Sequence, residues 1–373
     1  MVEILLLIKM IKNVEILPDK LKIFFSNKEE IFLNIWLRDH AQDDNSWDKR
    51  SHQRKIFTAK LDTNLHIKKA EVKDNGKSID IFWSDLNKSI NYTADFFLNN
   101  LTKSNNKYPN LKIWTNKDLD QNIYTDFNEA ISEDGYKLFL KKLYEYGFTV
   151  IQNCKTEMSS VEKIAKKIGY VRESIFGGLW SFESNEDKAD SAYTQEELRP
   201  HTDSTYSNDA PGLQLLLCCH YKASGGESIM VDGFKIAEVI KNDDKEIFDI
   251  LSNIEVPGKY VGDGVILEAK RPIFKLNSNK ELIQVSFNNY DRTEFRIENK
   301  LMIKFYKAIK KFDSLANSPE FQWRHTLKSG ELLIFNNWRV LHGRGSFKGK
   351  RKMAGCYINM EDFESACKIN GLY

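Results

Sequence analysis

His201 and Asp203 stand two positions apart in Arg199-Pro200-His201-Thr202-Asp203-Ser204-Thr205-Tyr206. On an extended backbone, side chains at i and i+2 leave the same face, so an imidazole nitrogen and a carboxylate oxygen can converge on one ion. They supply two corners of the 2-His-1-carboxylate set that holds non-haem Fe(II) and keeps positions open for substrate and O₂. The third corner must come from far down the chain, and His342, in Asn337-Trp338-Arg339-Val340-Leu341-His342-Gly343-Arg344, is the candidate. Nine positions later Arg351 offers a guanidinium suited to grip a carboxylate through two parallel hydrogen bonds. Taken alone, a His-x-Asp is a common accident: a turn in which Asp203 caps an amide and His201 packs on Pro200. A second His ahead of an Arg, on another predicted strand, weighs the other way.

A chain of 373 residues can bury a large core and hold two domains. Lys and Arg number 55 against 53 Asp and Glu, so no basic excess argues for nucleic acid, and small molecules and other protein subunits are the expected partners. The five cysteines (154, 218, 219, 356 and 367) show no CxxC spacing and read as reduced thiols of a cytoplasmic protein. Ile4-Leu5-Leu6-Leu7-Ile8 is too short to span a bilayer and lacks a small-residue cleavage site; it reads as a first strand or as an extension upstream of Met10. No other apolar run reaches the ~20 residues a spanning helix needs, so no membrane partner is expected.

Residues 1–115 read as a small β-rich domain. Its expected strands are Leu21–Phe25, Ile31–Leu37, Lys55–Ala59, Ile67–Val72 and Ile79–Trp83, the last two joined by the hairpin signal Asp74-Asn75-Gly76. His40 and His52 have no cysteine near them, and solvated loop histidines are expected there rather than zinc. The polar stretch 99–117 is the expected connection to a second domain over 116–373. That domain opens with a helix over Tyr136–Tyr146 that stops at Gly147, a strand Phe148–Ile151, and a helix started by the capping box Ser159-Ser160-Val161-Glu162 and ended at Gly169. Strands follow at Leu213–Cys219, Glu227–Val231, 264–287 and 331–336, with helices near 234–252 and 297–314. Dominant strands with ligands near the first and last of them fit a mainly β fold, a double-stranded β-helix (jelly-roll) barrel holding its ligand in the mouth.

With these motifs in place, the chain resembles the Fe(II)/2-oxoglutarate oxygenases of the trimethyllysine dioxygenase and γ-butyrobetaine dioxygenase family, and trimethyllysine dioxygenase most. The matching residues run in order: Trp36-Leu37-Arg38-Asp39-His40, Ser51-His52-Gln53-Arg54, Arg172 to Trp180, Ala192-Tyr193-Thr194, His201 to Tyr206, Gly225-Gly226, Val231-Asp232-Gly233-Phe234, Asn288-Asn289-Tyr290-Asp291-Arg292, Asn337 to Arg344 and Arg351 to Tyr357. The resemblance implies iron on His201, Asp203 and His342, the distal carboxylate of 2-oxoglutarate on Arg351, and Ser228 as a hydroxyl offered to that cosubstrate. O₂ is then consumed, and ascorbate supports activity. The retained carboxylate ligand implies hydroxylation rather than halogenation.

The resemblance also assigns a substrate pocket. A trimethylammonium group cannot donate an ordinary hydrogen bond and is recognised by aromatic faces; Phe176, Trp180, Tyr193 and Tyr357 would form that cage, although core packing is the default for any one of them. Phe176 stands where the family usually has Tyr. At the polar end, Asp190 with Asn288 or Asn289 would meet the α-ammonium of an amino acid, where a negative side chain would repel a lone carboxylate; the plain alternative for Asp190 is a solvated loop acid. Hydroxylation of trimethyllysine at C3, in carnitine biosynthesis, is therefore expected. γ-Butyrobetaine or another betaine, oxidative demethylation, and a metal-free betaine-binding barrel are the alternatives. Relatives imply a homodimer. The segment after Trp36–His40 reads Ala41 to Asp48 without a thiol, which sets this chain apart from relatives with zinc there.

Overall fold

The computed structural model describes residues 10–101, 109–183 and 195–372. The chain divides into two compact units, 1–105 and 106–373. Ile4–Ile8 lies outside the described residues.

The first unit holds two three-stranded antiparallel sheets. One is formed by Ile11–Ile16, Lys20–Phe25 and Glu29–Leu33, the other by Ile67–Lys73, Ser78–Trp83 and Ser89–Thr93. Period-2 patterning buries Leu21, Ile23, Ile79, Ile81 and Trp83 in a common core. Asn75 and Gly76 take φ of 54° and 90° in the turn between the paired strands, as an Asn-Gly turn requires.

One expected strand of this unit, Ile31–Leu37, is cut short, and another, Lys55–Ala59, is not formed. The third strand stops at Leu33 and Asn34–Asp39 is a helix. Tertiary partners override its strand-like composition: the Asn34 amide donates to the Asp19 carbonyl, Arg38 Nε meets Asp85 Oδ2 at 2.9 Å, and the Tyr92 hydroxyl donates to the Leu37 carbonyl. Lys55–Ala59 has no pairing strand and runs into a single 3₁₀ turn, Thr58–Lys60, because its side chains are exposed on both faces. His40 is not a solvated loop residue, since its ring stacks on Trp36 at 4.2 Å.

The second unit has a jelly-roll core of two facing sheets. In the larger, Val171–Arg172 and Leu179–Glu183 both pair with the long strand Phe347–Ile358; then come Leu213–Gly225, Leu332–Asn336, Phe148–Gln152 and Tyr124–Asp126. The smaller runs Leu198–His201, Val340–Arg344, Ser228–Asp232 and Gln322–His325. Pro200 sits in the edge strand of that sheet, where a missing N–H leaves no ladder bond unmade. Helices Glu133–Tyr146, Met158–Ile168 and Met360–Ile369 cover the larger sheet around Phe139, Leu143, Ile164, Leu215 and Ile334. Helices Gly233–Asp243, Lys245–Asn253 and Asn299–Ala316 build a second core around Phe274, Phe305 and Phe312.

Helix Glu133–Tyr146 ends at Gly147, whose φ of 77° favours glycine. The capping box at Ser159 does not form. Helix Met158–Ile168 begins one residue earlier, with Glu157 at the cap, and the Ser159 hydroxyl donates to Glu157 Oε2 instead of capping an amide. Trp114, in the stretch read as a connection, is packed within the second unit, where its indole N–H donates to the Tyr146 carbonyl at 2.7 Å. Among the described residues no helix is long and apolar enough to cross a membrane.

Candidate metal centre

The smaller sheet puts the two histidines side by side, for His201 and His342 are direct cross-strand partners with ring centroids 4.3 Å apart. Just past the edge strand the backbone turns at Ser204, with φ of 56°, and returns Asp203 toward both rings. Asp203 Oδ1 lies 3.5 Å from His201 Nε2 and 3.5 Å from His342 Nε2. These separations are longer than ordinary hydrogen bonds and match ligands ~2.1 Å from one shared ion at roughly 110°. The three groups could hold a metal ion, their ligand atoms all lying within 4.8 Å of one another.

The loop that carries Asp203 is tied down by groups the sequence did not single out. Asn337, in the turn before His342, accepts the Asp203 amide on Oδ1 at 2.7 Å and donates Nδ2 to the Asp203 and Pro211 carbonyls. Its amide thus locks the His342 hairpin to the Asp203 loop. The Thr202 amide donates to the Phe287 carbonyl, and the Phe287 amide returns to Thr202 Oγ1. Asn337 belongs to the resemblance only as part of a motif; no spacing rule marks it as a clamp.

Orientation of the donor atoms follows from their other bonds. His201 Nδ1 lies 2.8 Å from the Arg199 carbonyl, which assigns the proton to Nδ1 and leaves the Nε2 lone pair toward the centre. The Tyr357 hydroxyl donates to Asp203 Oδ2 at 2.8 Å, so Oδ1 is the oxygen presented to the imidazoles. Burial alone would raise the Asp203 carboxyl. The two imidazoles and the Tyr357 hydroxyl outweigh that and hold it well below the usual carboxylate range. Burial also opposes protonation of His201, but Asp203 and the Arg199 carbonyl prevail and raise it, whereas burial pushes His342 down to about 3.

Arg351 is buried on the strand Phe347–Ile358 and shares the alternating buried face of Met353, Gly355 and Tyr357. Its Nε has no hydrogen-bond partner, and among the described residues no carboxylate lies within 4 Å of its guanidinium. Burial lowers its pKa. Ser228 is buried in the smaller sheet opposite Arg344, whose guanidinium is pushed down to about 10 by burial and by Arg351.

The expected substrate residues separate into three groups. Trp180 and Tyr357 come together, ring centroids 5.7 Å apart, and Gly355 makes this possible: a Cβ there would lie 2.4 Å from Trp180 Cη2. Tyr357 spends its hydroxyl on the carboxylate ligand, a role not foreseen for a cage residue. Phe176 sits in the turn Ser174–Gly177, without the ring contact that Trp180 and Tyr357 share. Asn288 does not offer its amide freely: Nδ2 donates to Asp291 Oδ2 at 2.9 Å and Oδ1 accepts the Tyr290 amide. Asn289 is exposed. Asp190 and Tyr193 lie outside the described residues.

Residues 115–357 match the model of the taurine catabolism dioxygenase TauD, TfdA family. The chain is 32% identical over 360 residues to trimethyllysine dioxygenase of Meyerozyma guilliermondii, covering 91% of this chain and 90% of that one. It is 27% identical over 365 residues to γ-butyrobetaine dioxygenase of Pongo abelii, covering 93% of each. A taurine dioxygenase from Burkholderia xenovorans shares the fold, with a TM-score of 0.51 at 11% identity over 67% of this chain and 91% of that chain.

Proposed function

We propose that this chain, which belongs to the TauD, TfdA family and within it to the trimethyllysine and γ-butyrobetaine dioxygenases, hydroxylates N6-trimethyllysine at C3, with Fe(II) and 2-oxoglutarate. The observation that carries the reading is the convergence of two Nε2 atoms and one carboxylate oxygen, a donor set that suits Fe(II) and leaves further coordination positions to other ligands. When bound, iron and 2-oxoglutarate supply the oxygen activation: one atom of O₂ enters the substrate C–H as hydroxyl, the other enters succinate, and CO₂ leaves.

The protein's own part is positioning. His201, Asp203 and His342 would hold the ion, with Nδ1 of His201 fixed by Arg199 and Oδ2 of Asp203 fixed by Tyr357. Arg351, buried without an acid partner, would take the distal carboxylate of 2-oxoglutarate through paired N–H groups, and Ser228 would add a hydroxyl. Trp180 and Tyr357 would give the trimethylammonium group an apolar, electron-rich wall. On the strength of the resemblance, Phe176 and Tyr193 would complete that wall, and Asp190 would pair with the α-ammonium. Held at both ends, a substrate presents one carbon to the metal and excludes its neighbours. A cytoplasmic homodimer, with ascorbate supporting activity, accompanies this reading.

Succinate release across a panel of trimethylammonium compounds tests it. Trimethyllysine should drive iron-dependent succinate formation well above γ-butyrobetaine and choline. Preference for γ-butyrobetaine would replace the substrate, formaldehyde release would replace hydroxylation by demethylation, and no iron-dependent turnover with any of them would overturn the enzyme.

A further inference from the structure

Beside the metal-binding loop lies a largely apolar recess with a few polar groups, of about 360 Å³ counting its open mouth, between the hairpin Val256–Arg271 and the segment 286–292. Arg271, Arg292, Ser286 and Asn289 line it together with Thr205, and no acidic residue does. Arg271 is only 8% exposed, yet its one hydrogen bond is a 3.4 Å contact from Nη2 to the Thr205 carbonyl. Among the described residues no carboxylate comes within 4 Å of either guanidinium. The acids near it are engaged elsewhere: Asp291 with Thr205 Oγ1 and Asn288 Nδ2, and Asp209, whose charge reaches Arg271, with Arg172. A buried guanidinium without a directly bonded anion is costly, and a ligand carboxylate would offset that cost.

We infer that this recess is a carboxylate-binding site anchored by Arg271, and that it receives the α-carboxylate of the substrate. Its wall, Thr205, is two residues past Asp203, so an anion held there sits beside the loop that carries the carboxylate donor. Asn289, expected at the substrate's polar end, lines the same recess. The proposal rests on the hydroxylase reading, and it makes the substrate a carboxylate bearer by recognition rather than by tolerance.

The test compares compounds that differ only in the carboxylate. Calorimetric affinities of metal-loaded protein would be measured for trimethyllysine and its decarboxylated diamine, and for γ-butyrobetaine and butyltrimethylammonium, with wild type, Arg271→Met and Arg271→Lys. The quantity read is the affinity ratio within each pair. Wild type should prefer the carboxylate, and Arg271→Met should shrink that ratio at least about 30-fold, as loss of one partner of a desolvated charge pair does. Arg271→Lys should recover part of it. If Arg271 merely props the Thr205 carbonyl, both members of a pair weaken together and the ratio stays; an unchanged ratio overturns the proposal. Should γ-butyrobetaine prove the substrate, the trimethyllysine reading fails while the second pair still decides the recess.

Discussion

Two buried Asp–Arg neighbourhoods of the second unit resemble each other in composition and differ in what they leave undone. Asp232 meets Arg339 through two bonds, at 3.2 and 2.7 Å, and also accepts the Trp114 and Phe234 amides. Arg339 gives its remaining donors to the Lys112, Tyr144 and Glu145 carbonyls. Every strong polar atom of that pair is used, and it functions as a rivet between the turn before His342 and the covering helix. Around the metal centre the opposite holds. Asp203 keeps one oxygen aimed at two imidazoles that stand too far for ordinary hydrogen bonds, and Arg351 keeps a guanidinium that no carboxylate of the described residues approaches within 4 Å. Saturated buried charge is architecture, whereas unsaturated buried charge waits for a ligand.

The comparison breaks most visibly under single substitutions. Asp203→Ala should cut iron-dependent succinate release to below about 1% of wild type, since a metal ligand matters more than the outer partners whose loss costs 10–100-fold. Its melting temperature should stay near wild type. Arg339→Met should do the reverse: an uncompensated Asp232 costs about 3–5 kcal/mol, lowering the melting temperature by roughly 6–15 °C while turnover per folded molecule persists. A melting drop for Asp203→Ala as large as that for Arg339→Met would erase the distinction. Arg351→Met belongs with Asp203, and the apparent KM for 2-oxoglutarate should rise at least about 30-fold at little cost in stability.

Smaller effects sharpen the boundary. Tyr357→Phe keeps the ring against Trp180 but frees Asp203 Oδ2, so iron affinity should fall about 10–100-fold with substrate KM changed far less. If KM for the trimethylammonium substrate moves and iron affinity does not, Tyr357 is a cage residue only. Glu331 is a second saturated acid, bonded to His325 Nε2, the Lys328 amide and Gln152. Burial would raise it, but these partners prevail and hold it down to about 2, against 4.5 for a free Glu. A folded-state pKa below the unfolded one stabilises above pH ~4.5 and is lost as pH falls toward 2. Urea midpoints across that range should therefore drop less steeply in Glu331→Gln.

What the sequence made legible follows the same line. The His-x-Asp spacing pointed to one shared ion, and His342 stood out as the third donor, but the edge strand ends at His201 and it is the turn at Ser204, not a common strand face, that brings Asp203 back to the imidazoles. The devices that aim these groups were not legible. Asn337 clamps through its amide across more than a hundred residues, and Tyr357 acts through its hydroxyl although its ring was the expected feature. Asn288 spends its amide locally on Asp291. Arg271 ends an ordinary hairpin strand, and that no carboxylate of the described residues bonds it is visible only in three dimensions. Local misses share one cause, tertiary partners outvoting propensity, as when Arg38 and Tyr92 hold Asn34–Asp39 helical in a strand-like run.

The central claim is one iron ion shared by His201 Nε2, Asp203 Oδ1 and His342 Nε2. Anomalous diffraction at the iron edge, from crystals loaded with Fe(II) and 2-oxoglutarate without oxygen, tests it most directly. The account predicts a single strong peak within bonding distance of those three atoms, with 2-oxoglutarate reaching Arg351. An iron peak bound elsewhere in active protein, or none at these three atoms, would contradict it.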